Sequence, residues 1–147
     1  MGNMTGMIRV NQVKNDYSEG EAHMRIVSIR SIEGMEMPAG RTTRVIVGKN
    51  GAIQGANFAQ GYVEIHVGGE IPLHAHAMEE TYTILSGTGE MTVAEETRRV
   101  KRGDLVLIDP DLPHGLKNVG ETELQLMFVY SPATIADHWG QELSGEL

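Results

Sequence analysis

The sequence predicts an all-β fold, a sandwich or barrel built from short strands. Eight short segments rich in Val, Ile, Thr, Leu and aromatic residues read as strands, and each is bounded by Gly, Pro, Asn or Asp. Turn sequences containing Gly and Asn separate several of them and supply the positive φ angles that hairpins need. The 18 glycines fit such a turn-rich chain. The predicted strands cover residues 24–29, 42–47, 61–67, 80–85, 90–94, 97–100, 104–108 and 123–130.

The chain length of 147 residues suits a single domain that can bury a sizeable core. Residues 23–132 are predicted to form the barrel. Residues 1–22 are polar and lack a sustained period, so we expect an N-terminal arm or an edge strand there. Residues 133–147 are predicted to be a C-terminal helix and tail of the same domain, packed against the barrel exterior. The helical stripe in this tail consists of Ile135, Ala136, Trp139 and Leu143.

Composition and charge exclude several classes of protein. The formal net charge of -8 and the absence of a Lys/Arg-rich stripe argue against nucleic-acid binding through phosphate neutralisation. No stretch approaches the length of a membrane span, and the first residues do not resemble a secretory leader. Without cysteine the chain has no disulfide or thiolate ligand, so any metal must be held by nitrogen and oxygen donors. We therefore expect a cytoplasmic protein without nucleic-acid or membrane partners.

Three histidines and a glutamate form a candidate metal site. On an extended chain, residues of even number share one face, which brings His74, His76 and Glu80 together. His114 lies about one hairpin further along the chain. Imidazole and carboxylate donors of this kind suit divalent transition metals better than calcium. The alternative is that the histidines are surface or plain structural residues.

The spacing of these residues resembles the first motif of the cupins. That motif reads glycine, five residues, His-x-His, three or four residues, glutamate, six residues, glycine. Here Gly68, His74, His76, Glu80 and Gly87 fill every fixed position. The chain is therefore identified as similar to the small single-domain members of the cupin superfamily.

The second cupin motif is matched more loosely. It reads glycine, five residues, proline, one residue, glycine, two residues, histidine, three residues, asparagine. Gly103, His114 and Asn118 hold this register, whereas Asp109 and Asp111 occupy the proline and glycine positions. The turn before His114 therefore departs from the family pattern, since aspartate has different backbone limits from glycine.

The resemblance implies a double-stranded β-helix, or jelly-roll barrel, with one divalent metal (Fe, Mn, Ni, Co, Cu or Zn). The implied ligands are His74, His76, Glu80 and His114. It also implies dioxygenase or isomerase-like chemistry on a small chelating substrate, with a binding or sensing module as the alternative. The exposed strand edges of a lone jelly roll, together with the resemblance, indicate a homodimer. Substrate, reaction type and metal identity are left open by the sequence.

Several further side chains have two readings each. Tyr82 shares the parity of Glu80, so its hydroxyl either reaches a substrate or belongs to a core aromatic residue. Together with Glu80, which would shuttle a proton, Tyr82 is a candidate catalytic residue. On strand 61–67 burial favours an outward His66, and the alternative is a base behind the metal ligands. Arg41 and Arg44 either anchor a carboxylate or phosphate, or are ordinary exposed arginines of an edge strand.

Overall fold

The computed structural model describes residues 24–134 and 136–147, which form ten β-strands, one short 3₁₀ helix and one α-helix. The arm predicted over residues 1–22 lies outside the described residues. None of the helices that the structure describes is long and apolar enough to cross a membrane. The strands are β1 (Met35–Met37), β2 (Arg41–Val47), β3 (Ala59–Ile65), β4 (Glu70–His74), β5 (Glu79–Ser86), β6 (Thr88–Val93), β7 (Glu96–Lys101), β8 (Leu105–Ile108), β9 (His114–Asn118) and β10 (Leu124–Ser131); the 3₁₀ helix is Ile29–Ser31 and α1 is Asp137–Ser144.

The strands form two antiparallel sheets. One has six strands in the order β1-β2-β3-β10-β5-β8, and the other has four in the order β4-β9-β6-β7. Consecutive strands alternate between the sheets over part of the chain, which is the connectivity of a double-stranded β-helix. The predicted all-β jelly roll with a short C-terminal helix is therefore confirmed.

The core lies between the sheets because the strands alternate inward and outward residues. Along β3 and β10 every second residue is buried. Val63 and Ile65 point inward, as the burial pattern of the sequence predicted, but Val67, which the same pattern placed inward, is exposed because β3 ends at Ile65. Gly61 leaves room for the ring of Phe128, since a Cβ at this position would lie 2.2 Å from Cζ of that ring. A larger residue at Gly61 is therefore incompatible with this packing.

The strand predictions were wrong at three kinds of place. Residues 24–29 are mostly exposed and contain no strand. Short β1 was not predicted at all. Strands β4 and β9 were also missed, because Pro72 and Gly115 interrupt their apolar pattern and each strand has only five residues. Their inward residues Ile71 and Leu116 nevertheless belong to the core.

Helix α1 begins later than the predicted residue 133 and ends at Ser144, and the following Gly145 caps it with a φ of 82°. Of the predicted stripe, Ala136 and Trp139 are buried, but Leu143 is exposed and Ile135 lies outside the described residues. The helix does not pack on the barrel exterior as predicted. Instead, the Trp139 ring lies 5.9 Å from the ring of inward-facing Phe128.

The buried face of α1 is polar, which explains the wrong placement of the helix. His138, Trp139 and Glu142 are its buried residues. An amphipathic-helix pattern expects an apolar stripe toward the core, so the sequence favoured Leu143 over Glu142. The polar residues of this face meet polar groups of the barrel, since His138 stacks on His74 and Glu142 pairs with Arg41.

Candidate metal centre

Strand pairing brings the three predicted histidines together. His74 ends β4 and His114 begins β9, and the two residues are partners in the antiparallel register. His76 follows in the loop after β4. One ring nitrogen from each histidine lies within 4.8 Å of the other two. The three imidazoles therefore form a cluster that is compatible with one metal ion.

The hydrogen bonds of these rings leave the same atom free in each. Nδ1 lies 2.7 Å from the Pro72 carbonyl oxygen in His74 and 2.9 Å from the Leu112 carbonyl oxygen in His114. In His76, Nδ1 lies 3.1 Å from the carbonyl oxygen of Met78. A carbonyl oxygen accepts only from a protonated nitrogen, so these contacts favour the tautomer with its lone pair on Nε2.

All three Nε2 atoms are buried and have no hydrogen-bond partner among the described residues. An unpartnered buried nitrogen is costly, and three of them in one place call for a ligand. A divalent transition metal fits this set, since neutral imidazole Nε2 is one of its preferred donors.

The electrostatics of the rings also favour metal binding. Burial lowers the pKa of His74 to about 3 and also lowers the pKa of His114. Both rings are therefore neutral near pH 7. Burial opposes protonation of His76 as well, but the neighbouring Glu80 carboxylate outweighs it and raises the pKa of His76. His76 is thus the ring most easily protonated when no cation stands between it and Glu80.

Glu80 lies beside the histidine cluster and is almost completely buried. Its Oε2 is 2.7 Å from Nε2 of His76, yet the angles of this contact are not those of a hydrogen bond. Two donor atoms bound at about 2.0–2.2 Å and at right angles to one metal would be about 3 Å apart. The contact places a carboxylate beside the cluster, although Glu80 does not belong to the group of donor atoms that all lie within 4.8 Å of one another. The adjacent Glu79 is exposed, as strand parity predicted.

Tyr82 also faces the interior. Its ring lies 5.9 Å from the His114 ring, and the side chain is buried. Burial and the nearby Glu80 carboxylate raise the pKa of Tyr82 well above its ordinary value, so the hydroxyl stays protonated. Tyr130 was not predicted as a site residue, but its ring lies 6.4 Å from His76 and burial raises its pKa to about 12. The even-numbered parity along β10 was the signal that could have revealed it.

A fourth histidine at the site comes from α1. The ring of His138 stacks on that of His74 with 3.8 Å between centroids and 22° between planes. Its Nδ1 is buried and has no partner within the described residues. Burial lowers the pKa of His138 to about 2, so the ring is neutral. It lies outside both sequence motifs and in a polar helix, and no local signal pointed to it.

A small cavity lies between Glu80 and helix α1. Its volume is about 20 Å³, which has room for roughly a single water molecule. Arg41 and Thr43 on β2 line one side and Glu80 lies on its wall. The remaining lining residues come from β3, β4, β5, β10 and α1, and they are Val63, Ile71, Tyr82, Phe128, Tyr130, His138 and Trp139.

The two arginines of β2 have different surroundings. Arg41 is buried and pairs with Glu142 of α1 through both guanidinium nitrogens, so it is not the exposed arginine that was the alternative reading. Arg44 pairs with Glu64 and is part-exposed. Only Arg41 lines the cavity beside the histidine cluster.

His66 lies away from the metal cluster. It is on the outer side of the barrel, where its two ring nitrogens are each 3.4 Å from a carboxylate oxygen of Glu36 and Glu123. These contacts raise the pKa of His66 against the opposing effect of burial. The outward orientation predicted from strand parity agrees with this position.

The missing glycine of the second motif does not prevent a left-handed backbone conformation at that position. Asp111, at the position of the motif glycine, has a φ of 66° in the left-handed region. Aspartate tolerates this region better than most residues with a side chain. At the end of the motif, Asn118 bonds the backbone of neighbouring segments. His114 is therefore delivered to the cluster despite the missing glycine.

Comparison with known proteins shows which sequences the chain resembles. The sequence model described as "Cupin domain" matches residues 61–130. An uncharacterised protein of Methanocaldococcus jannaschii is 41% identical over 64 residues, which are 43% of this chain and 51% of that protein. The chain therefore spans about half the length of this relative. An uncharacterised protein of Streptomyces coelicolor is 30% identical over 76 residues, covering 52% of this chain and 71% of that protein.

Solved structures agree on the fold. A Thermotoga maritima protein described as a predicted oxalate decarboxylase superposes with a TM-score of 0.66 at 20% sequence identity. The superposition covers 74% of this chain and 99% of the other. At this level of identity the likeness shows the fold alone.

Proposed function

Since this chain belongs to the cupin superfamily, we propose that it is a metal-dependent enzyme acting on a small oxygen-containing molecule. The observation that carries the proposal is the convergence of three buried, unpartnered imidazole Nε2 atoms beside a buried carboxylate. His74, His76, His114 and Glu80 would hold one divalent transition metal: Fe, Mn, Ni, Co, Cu or Zn. When bound, such a metal supplies Lewis-acid polarisation of a substrate oxygen.

The protein's own residues would orient the substrate and move protons. Tyr82 keeps its proton, lines the cavity and would donate a hydrogen bond to the substrate. Glu80 is a candidate proton acceptor as well as a ligand. The buried walls of the barrel exclude water from the site. Dioxygenase and isomerase-like reactions on a chelating substrate both fit these groups, and the predicted decarboxylase activity of the Thermotoga maritima protein adds a third candidate.

A second candidate function is a free-standing module that binds or senses a small ligand. The observation that favours it is that α1 contributes His138 and Trp139 to the wall of the cavity, an arrangement that suits retention of a ligand as well as catalysis. An enzyme consumes its substrate or dioxygen in the presence of metal. A binding module only shifts its melting temperature with ligand and leaves the ligand unchanged.

We also propose a cytoplasmic homodimer without nucleic-acid partners. The lack of cysteine supports the cytoplasmic location. The net charge of -8 argues against binding to nucleic acid. Strand β8 supports the dimer, because it ends the six-stranded sheet and exposes Leu105 and Leu107 at its edge. Sedimentation analysis of the wild type and of a Leu107→Lys variant tests this; a wild-type monomer would contradict it.

The first test of the metal site is the metal content of untagged protein by mass spectrometry after loading with each candidate ion. Wild type should hold about one equivalent of a divalent metal. A His76→Ala variant should lose it, and a matched His66→Ala variant should retain it because His66 lies on the outer side of the barrel. Wild type without metal under every loading condition would refute the proposal. Oxygen uptake and substrate depletion by the loaded protein then separate enzyme from binding module.

A further inference from the structure

The ion pair between Arg41 and Glu142 joins the barrel wall to helix α1. Both guanidinium nitrogens donate to the two carboxylate oxygens of Glu142, with Nη2 at 2.5 Å from Oε2. The side chains are 1% and 2% exposed. This two-pronged contact is the one that a planar guanidinium makes with a free carboxylate ligand. Arg41 Nη1 also donates to the Glu70 carbonyl oxygen at 3.3 Å, which holds the arginine against the barrel.

The position of Arg41 relates this pair to the metal centre. Arg41 is the first residue of β2 and lines the same small cavity as Glu80 and Tyr82. A group bound to Arg41 would therefore stand beside the proposed metal ligands.

The cavity is too small for a substrate in this arrangement. Its volume of about 20 Å³ compares with roughly 300–1,000 Å³ for ordinary ligand pockets. A substrate can enter only if a wall moves, and most of the wall is held by strand-to-strand hydrogen bonds. Helix α1 has only eight residues and makes no sheet contacts of that kind. Helices of this length depend on their packing for stability, so α1 is the wall element that opens at least cost.

Opening the helix would leave Arg41 charged and unpaired in a buried place. Breaking one side of a buried ion pair is strongly unfavourable unless another anion takes its place. Thr43 lies in the same cavity with its Oγ1 buried and without a partner among the described residues. A carboxylate on the ligand would restore the pair with Arg41, and a further ligand oxygen would satisfy Thr43.

We propose that α1 is a lid, that Glu142 occupies the carboxylate-binding position of Arg41 while the lid is closed, and that the substrate is a small organic acid whose carboxylate replaces Glu142. The substrate carries at least one further oxygen that reaches the metal. The inference rests on the proposed function, because it places the acid beside the metal ligands. Arg41 is thus a specificity residue, and Glu142 is a built-in competitor of the substrate.

Trp139 reports the position of the lid. It is the one tryptophan of the chain, it lies on α1, and its ring is buried against Phe128. Opening should expose the indole and shift its emission to longer wavelength. Zinc-loaded protein is suitable for this test, because zinc has no redox chemistry that would consume the probe.

The experiment compares carboxylates with uncharged amides of the same shape: lactate with lactamide, and 3-hydroxybutyrate with 3-hydroxybutyramide. Titration calorimetry gives the affinity, Trp139 emission gives the lid position, and zinc content is measured on the same samples. In wild type at least one carboxylate should bind about tenfold or more tightly than its amide, since hydrogen bonds to charged groups are the stronger ones. Its binding should also shift the emission. The Glu142→Gln variant should bind the carboxylate more tightly than wild type does and leave the amide affinity unchanged.

Two further variants separate this role from helix anchoring. The double variant Arg41→Met/Glu142→Leu replaces the pair with apolar side chains and is expected to fold, but it should lose the preference for carboxylate. Glu64→Gln is the control, because it breaks the ion pair with Arg44, which lies on β2 like Arg41 but on the outer side of the barrel. This variant should behave as wild type. If Glu142 only anchors the helix, Glu142→Gln will show no gain in carboxylate affinity.

Three outcomes overturn the inference: equal affinity for acid and amide, no tightening in Glu142→Gln, or no binding of any probe by that variant. A wild type that binds neither zinc nor any other candidate metal would instead refute the proposed function. Zinc bound at one equivalent without carboxylate preference leaves the metal site intact and refutes the lid alone.

Discussion

Replacement of Asn118 by alanine should destabilise the protein by about 3 kcal/mol. The side chain ends β9 and is buried. Its Nδ2 donates to the carbonyl oxygens of Ile65, His66 and Thr122 at 3.0, 3.2 and 2.9 Å, and its Oδ1 accepts from the Gly120 N–H at 3.0 Å. It therefore fastens the four-stranded sheet to the end of β3 in the other sheet and to the loop before β10.

The magnitude follows from these bonds. An amide NH₂ group has two hydrogens, so it makes two full bonds among three acceptors, and the Oδ1 bond is the third. At about 1 kcal/mol net for each bond, alanine loses on the order of 3 kcal/mol, and carbonyl groups left without a partner add to this. For a chain of this size each 1 kcal/mol lowers the melting temperature by roughly 2–4 °C, so a fall of about 6–12 °C is expected.

The assay is urea and thermal unfolding of metal-free protein, which keeps metal binding out of the comparison. Asn118→Asp is the matched variant, because it keeps the acceptor for the Gly120 N–H but turns the donor side into an oxygen facing carbonyl oxygens. It should be at least as unstable as the alanine variant near neutral pH. Lys117→Ala on the same strand is exposed and should change stability by less than about 0.5 kcal/mol. An Asn118→Ala variant within about 1 kcal/mol of wild type would refute this reasoning.

Further expectations concern packing, pH and metal. Gly61→Ala should cost about 1–3 kcal/mol in urea unfolding, because its Cβ would overlap the Phe128 ring; Gly140→Ala, where nothing lies within 4 Å of the added Cβ, should be neutral or stabilising. The pKa of His66 is raised by its two glutamate partners, so their stabilisation is complete below the unfolded pKa of about 6.5 and is lost as pH rises through the folded pKa. Between about pH 6 and about pH 8.5 the free energy of unfolding should therefore fall more in wild type than in His66→Gln. The difference should be less than about 1 kcal/mol, because the His66 side chain is 43% exposed. Equal losses in the two proteins would contradict this. A chelator should lower the melting temperature of metal-loaded wild type and leave that of His76→Ala unchanged. If the free metal was at 100 times its Kd, the stabilisation lost by wild type is about 2.7 kcal/mol.

The histidine cluster could be predicted from sequence by strand alternation together with the resemblance to the cupin motifs. Alternation along an extended chain put His74 and His76 on one side, and the motif spacing added His114. The structure brings His114 opposite His74 through the pairing of β4 with β9. The same alternation predicted that Glu80 points inward and Glu79 outward, and in the structure Glu80 is buried and Glu79 is exposed. Periodicity was less informative where strands are short, which is why β4 and β9 were missed although they carry two of the histidines.

The lid could not be predicted because its contacts run between residues far apart in the chain. Arg41 and Glu142 are 101 positions apart, and no local pattern links them. Hydrophobic periodicity gave a wrong prediction here, because it assigns Leu143 to the buried face of the helix and His138 and Glu142 to the exposed face. A buried polar face on a terminal helix departs from the usual pattern, and such departures are expected at functional sites more than in the supporting fold. The disagreement between helical pattern and observed burial at α1 is therefore itself a reason to look for function there, independently of the motif that identified the metal ligands.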